Sequence, residues 1–204
     1  LEATAQDLMG QLLRAAGRFE AAQPRFQAAL DTWRQFSGAP GKDYALSLAG
    51  YGLLLLDQGK ATLAAQPLRE ALTILRGVLP SDDYDFASVL VAYGMMLART
   101  GKAAESETHL RKAIEIYRSV LPDTHSGVAA ARSALGEALL EQGKLTEAEP
   151  MLIASNELLA AQVSGARRRS LQRLIRLYEL KRDAPSVAGW RKRLAAFERT
   201  VRTV

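Results

Sequence analysis

The chain predicts an all-α protein of about five helix–turn–helix units, and three observations carry that prediction. Glycine recurs at Gly17, Gly59, Gly101 and Gly143, a step of 42 residues, each time followed by a cation: Arg18, Lys60, Lys102 or Lys144. A second glycine set, Gly10, Gly52, Gly94 and Gly136, precedes the first by seven residues, with Leu13, Leu55, Leu97 and Leu139 between the two. Finally, the composition is 48% apolar, alanine and leucine dominate, and no segment shows convincing strand alternation.

Each element follows from a residue type in its place. Helices commonly end on a residue with positive φ, which glycine adopts without steric cost, so Gly17, Gly59, Gly101 and Gly143 mark tight turns. The cation after each lies near the negative end of the preceding helix dipole. Helical glycine costs about 1 kcal/mol relative to alanine. Gly10, Gly52, Gly94 and Gly136 therefore need close approach of a partner helix, with Ala22, Ala64, Ser106 and Ala148 as the facing small residues. Phe26, Leu68, Leu110 and Leu152, then Ala29, Ala71, Ala113 and Ser155, continue the repeat. Pro80 and Pro122 end second helices, and Asp82, Asp83, Thr124 and Ser126 can cap the next ones. First helices are expected near 3–16, 43–58, 85–100, 127–142 and 169–183, and second helices near 19–36, 61–79, 103–121, 145–162 and 186–200.

These motifs resemble the tetratricopeptide repeat. Its pattern of Gly, aromatic or Leu, Gly, Ala, aromatic or Leu, Ala is matched four times over residues 3–162, and GKLTEAEPML at 143–152 is especially typical. The 42-residue step is similar to the longer variety found in kinesin light chains and many bacterial proteins. The resemblance implies an α-α superhelix, a solenoid of stacked helix pairs with a concave groove. Four repeats are expected at about 1–38, 43–80, 85–122 and 127–163. Residues 164–204 read as a degenerate fifth repeat closing the same continuous domain as a cap. There, Tyr178 stands at the helical-glycine place, Pro185 at the turn-glycine place and Trp190 at the small-residue place.

Composition narrows the function. With no cysteine, thiol nucleophiles, disulfides and zinc–thiolate sites are excluded. No apolar run approaches the roughly 20 residues needed to cross a bilayer, and no signal-peptide pattern is present. Absent cysteine does not fix the compartment; a cytoplasmic location is the expectation. The chain opens at Leu1, without methionine and inside a repeat, so we expect a piece of a longer protein or a start that precedes Leu1. No nucleophile elbow, phosphate loop or paired-histidine motif occurs. His125 falls in DTH at 123–125, where the previous repeat has SDD, and reads as part of a capping loop. No catalytic residue, cofactor or metal site is expected.

The resemblance assigns the inner wall to the first helix of each pair. Counted from the helical glycine, the wall carries Thr4, Asp7, Gln11 and Arg14, then Leu46, Ala49, Leu53 and Leu56, then Ser88, Val91, Met95 and Ala98. The fourth unit has Ala130, Ser133, Glu137 and Leu140, and the fifth has Gln172, Ile175, Glu179 and Arg182. Of these, Asp7, Gln11, Arg14, Leu46, Ala49, Leu53, Leu56, Ser88, Val91, Met95, Ser133 and Glu137 form the expected partner-binding groove. Leu46, Leu53, Leu56, Val91 and Met95 would be an apolar centre for an apolar or amphipathic protein segment, with polar ends fixing direction. The same residues could instead be core, or be covered by another part of a parent protein. Some relatives clamp a peptide's terminal carboxylate with Lys, Arg and Asn on these helices; here those places hold Ala, Leu and Val. The groove asparagines of kinesin light chains are replaced by Leu8, Gly50, Ala92 and Ala134.

Charge is unevenly distributed. Residues 164–204 hold 12 Lys/Arg and 3 Asp/Glu, net +9, while residues 1–163 hold 15 and 19, net −4. The segments at 166–176 and 190–199 read as cationic amphipathic helices. Three functions follow. The first is a non-catalytic scaffold binding a peptide or helix of a protein partner. The second is a regulatory or substrate-recruiting region of a larger enzyme, since the late repeats look similar to C-terminal regions of bacterial serine/threonine kinases. The third, less favoured, is nucleic-acid or anionic-surface binding through the basic tail. Self-association is left open.

Overall fold

The computed structural model describes residues 1–35, 41–161 and 165–202. The turn glycines behave as their spacing predicts. Gly17, Gly59, Gly101 and Gly143 have φ of 75°, 76°, 82° and 72°. The amide after each turns back to the repeated leucine carbonyl: Arg18 to Leu13, Lys60 to Leu55, Lys102 to Leu97 and Lys144 to Leu139, at 2.8–2.9 Å. These bonds satisfy carbonyls that a helix end leaves open.

The described residues form ten helices in five antiparallel pairs. They are α1 (Glu2–Ala15) with α2 (Phe19–Gln35), α3 (Lys42–Asp57) with α4 (Ala61–Val78), and α5 (Tyr84–Arg99) with α6 (Ala103–Val120). α7 (Ser126–Glu141) pairs with α8 (Leu145–Leu158), and α9 (Gly165–Leu180) with α10 (Ala184–Arg202). Asp83 caps α5 by accepting from the Asp85 and Phe86 amides at 2.7 and 3.4 Å. His125 caps α7 through Nδ1, which accepts from the Gly127 amide at 3.0 Å. DTH is thus a capping segment, with histidine rather than threonine or serine as the acceptor.

The helical glycines permit the close approach expected of them, but a leucine side chain fills the space. A Cβ at Gly52, Gly94 or Gly136 would lie 2.6, 2.6 or 2.4 Å from Leu68, Leu110 or Leu152. The bare backbone therefore receives a leucine side chain from the second helix of its own pair, rather than only the small residues Ala64, Ser106 and Ala148. Those small residues are fully buried nearby, and Ser106 Oγ donates to the Gly94 carbonyl at 2.7 Å. Leu68, Leu110 and Leu152 have no exposed surface, and burying each contributes about 1.5–3 kcal/mol.

Pairs stack through a core running from Leu30 to Leu177. Odd-numbered helices also touch one another directly, α1 with α3, α3 with α5, α5 with α7 and α7 with α9. Among the described residues no two even-numbered helices make comparable contact, so the odd helices form the inner wall.

The fifth pair departs from the period. Positive φ falls at Arg182 (57°), not at Pro185. The Asp183 amide returns to Tyr178 at 3.0 Å, and Asp183 accepts from Ser186 to start α10. Pro185 lies in the first turn of α10, where its missing N–H costs nothing. The fifth turn therefore comes 39 residues after Gly143 rather than 42, and α9 is rotated relative to the expected register.

Candidate functional site: a charged seam on the inner wall

The expected open apolar strip does not hold. Leu56, Val91 and Met95 are 1%, 8% and 6% exposed, and Ala49 is also buried. Only Leu46 and Leu53 are half-buried, packed against the core. The cause is the direct contact between inner helices. Positions three before and four after the helical glycine fall into the seams between neighbours: Ala49, Val91 and Ser133, then Leu56, Ala98 and Leu140, are all buried. Thr4 and Gln11 are exposed, and Ser88 and Ala130 half-buried.

The polar members cluster more closely. Asp7 is 8% exposed and accepts from Gln11 Nε2 at 2.5 Å, and burial pushes its carboxyl above the usual range. Arg14 Nη1 donates to Asp57 Oδ2 at 2.8 Å. Arg169 Nη1 takes the other oxygen, Oδ1, at 2.7 Å, joining residues 112 apart in sequence. Arg99 donates to the Leu56 carbonyl at 2.8 Å and to Glu137 at 3.2 Å. Arg173 Nε donates to the same Glu137 at 3.0 Å, and its Nη1 to Ser133 Oγ at 2.8 Å. Arg176 continues the line to Glu141 at 2.6 Å. The seam thus runs across all five inner helices.

Its electrostatics are tightly coupled. Burial would raise the Glu137 carboxyl, but Arg173 and Arg99 hold it down at about 2. Burial drives the Arg169 guanidinium down to about 10; Asp57 opposes this, while Arg173, Arg14 and Arg99 add to it. Arg169 stays charged at neutral pH.

Arg14, Ser133 and Glu137 were legible in the sequence; Asp57, Arg99, Arg169 and Arg173 were not. Asp57 and Arg99 sit one residue past the positions counted as inner wall. Arg169 and Arg173 were displaced by the three-residue slide of the fifth unit. Once the turn is set at Arg182, Arg169 aligns with Ala130 and Ser88, and Arg176 with Glu137 and Met95. The readable signal was Asp183 followed by Ala-Pro, a cap with proline in the first turn. Of the positions expected in the fifth unit, Ile175 is buried, Glu179 pairs with Arg191 and Arg182 forms the turn.

Other chemistry is sparse. Among the described residues no group of three or more His, Asp or Glu side chains could hold a metal. His109 stacks edge-on to Tyr93 with ring centres 5.2 Å apart, and burial lowers its pKa. No described helix is long and apolar enough to cross a membrane.

Residues 1–77 and 85–155 match the tetratricopeptide repeat family. The chain belongs to that family. Solved structures of similar tetratricopeptide fold include the nearly identical TPR-like repeats of a kinesin light chain from Podosopora anserina. It shares 15% identity, with 98% of this chain and 96% of that one covered and a TM-score of 0.67. The Rap protein complexed with Competence and Sporulation Factor matches over 100% of this chain and 66% of its own, at 13% identity and TM-score 0.69. Bacillus thuringiensis PlcR, in complex with the peptide PapR7 and DNA, matches over 98% and 73%, at 11% identity and TM-score 0.65. No curated protein matches this tetratricopeptide chain.

Proposed function

We propose that this tetratricopeptide domain is a non-catalytic scaffold that binds an extended or helical segment of a protein partner on its inner wall. The observation that carries this reading is the composition of that wall: half-buried Leu46 and Leu53 beside the charged seam of Arg14, Asp57, Arg99 and Glu137. Apolar anchors next to directional charges suit an amphipathic segment. Membership of the repeat family supports the reading, as does the peptide complex of the structurally similar PlcR. The expected apolar centre is narrowed to Leu46 and Leu53, since Leu56, Val91 and Met95 have little surface to offer. Gln11 and Ser88 lie at its edges.

Panning a displayed random-peptide library tests this. Selected peptides should bind at least about tenfold more weakly to Leu53→Asp, because a carboxylate replaces an apolar anchor. Peptides indifferent to Leu46→Asp and Leu53→Asp, or no selection at all, would overturn the inner-wall reading.

We further infer that α9–α10 act as a cap on the solenoid rather than as a nucleic-acid surface. Arg169, Arg173, Arg176 and Lys181 each pair with a carboxylate of the preceding repeats: Asp57, Glu137, Glu141 and Glu149. The basic tail thereby neutralises the mildly acidic body. The resemblance to kinase C-terminal regions finds no support among the relatives named above.

A further inference from the structure

The seam opens into a cavity of about 280 Å³ bordered by the start of α9 and the ends of α1, α3 and α5. Arg14, Arg99, Arg168 and Arg169 line it, and Asp57 is the one lining carboxylate among the described residues. Four guanidiniums against one carboxylate leave a formal charge of +3. The C-terminal ends of α1, α3 and α5 subtract roughly half a charge each, and the N-termini of α2 and α9 add roughly half each. A strong positive excess survives that correction.

The carboxylate is already engaged. Both Asp57 oxygens are taken, one by Arg14 and one by Arg169. Arg168 has no ion-pair partner among the described residues, and its guanidinium carbon lies 5.9 Å from the Phe197 ring centre. The Nε atoms of Arg14 and Arg168 are buried without a hydrogen-bond partner. A buried N–H left unmade is costly, and a guanidinium N–H is among the strongest donors to an oxyanion. Like charges gathered in a half-enclosed space repel less when a counter-charge sits among them, and at Arg169 burial lowers the guanidinium pKa, with Arg173, Arg14 and Arg99 adding to the fall.

We propose that this cavity binds a phosphoryl dianion. A dianion offsets most of the +3, whereas a carboxylate would offset a third of it. The four arginines come from repeats one, three and five and border the cavity from several sides, which suits a tetrahedral group better than a planar one. The sources are a phosphorylated side chain on the segment carried by the inner wall, which rests on the scaffold reading, or a free phosphate monoester.

The test titrates the protein with phenyl phosphate and, separately, acetate, at constant ionic strength in chloride buffer. Arginine Nε–Hε cross-peaks and thermal melting are followed together. The expected result is saturable movement of the Arg14 and Arg168 cross-peaks and a rise in Tm with phenyl phosphate but not acetate. Affinity should fall as pH drops below about 6, where the dianion takes up a proton. Arg168→Gln should weaken binding by about tenfold. Arg191→Gln, an equal charge change at the exposed pair with Glu179, should not. No saturable response, an equal response to acetate, or identical binding in Arg168→Gln would overturn the proposal.

Phenyl phosphate contains no peptide, so this outcome is independent of the display experiment. A phosphoserine version of a selected peptide then separates the sources. Binding tighter than the unphosphorylated peptide, and lost in Arg168→Gln, assigns the phosphoryl group to the partner. Equal binding of both peptides, with phenyl phosphate still bound, assigns the cavity to free monoesters.

Discussion

A single missing Cβ decides how closely the helices of a pair approach. At Gly94 the nearest atom to that absent carbon is Leu110 Cγ, 2.6 Å away. Leu110 is fully buried and has no room to retreat. Gly94→Leu should therefore destabilise by about 2–3 kcal/mol, read as a lower urea midpoint at unchanged slope. A neutral substitution would contradict the packing. Met95 illustrates the other side of the wall. At 6% exposure it is core, so Met95→Asp buries an unpaired charge and should cost about 3 kcal/mol or more, collapsing the circular-dichroism melt. Leu53→Asp, at a half-buried position, should leave the melt much closer to wild type.

At the scale of elements, Glu137 ties α7 to α5 and α9 through Arg99 and Arg173. Removing one partner of a buried pair leaves the others uncompensated, so Glu137→Gln should cost about 3 kcal/mol or more. The pH dependence has a definite sign. The folded carboxyl sits at about 2, below its ordinary 4.5, so its stabilisation is present above about 4.5 and is lost as pH falls from there through about 2. Chemical denaturation across that window should show a shallower acid slope in Glu137→Gln than in wild type. A second clamp joins α6 to the turn before α8. Glu107 pairs with Lys144 at 2.9 Å and with Arg111 at 2.7 Å, and these cations hold its carboxyl at about 2. The cation after the turn glycine therefore does more than face a helix dipole: at Lys144 it reaches the previous repeat.

Across the whole molecule, the Arg169–Asp57 pair brings the fifth repeat to the second, while stacking elsewhere is between neighbours. α9 also supplies Leu174 and Leu177, both fully buried, to the end of the core. A chain ending at Ala161 should lose that cover, one of the two arginine partners of Asp57 and of Glu137, and the partner of Glu141. A lower Tm and a broader melt are expected, since terminal repeats are needed to close a solenoid. An unchanged melt would argue against a capping role.

Helix count, turn positions and pairing were legible in the sequence because they depend on local chemistry repeated four times. Glycine at positive φ, leucine accepting the return amide, and a small residue beside bare backbone each leave a mark at fixed spacing. The charged seam of the candidate wall was legible only where that spacing held, as at Arg14 and Glu137. Burial of Leu56 and Val91 depends on how near two inner helices approach, which no single helix's pattern encodes. The three-residue slide at Arg182 moved Arg169 and Arg173 into the seam, where Arg169 reaches Asp57 at the end of α3. The meeting of residues 112 apart depends on how successive pairs stack, which no local pattern encodes, and so only the tertiary structure decided where the charges converge.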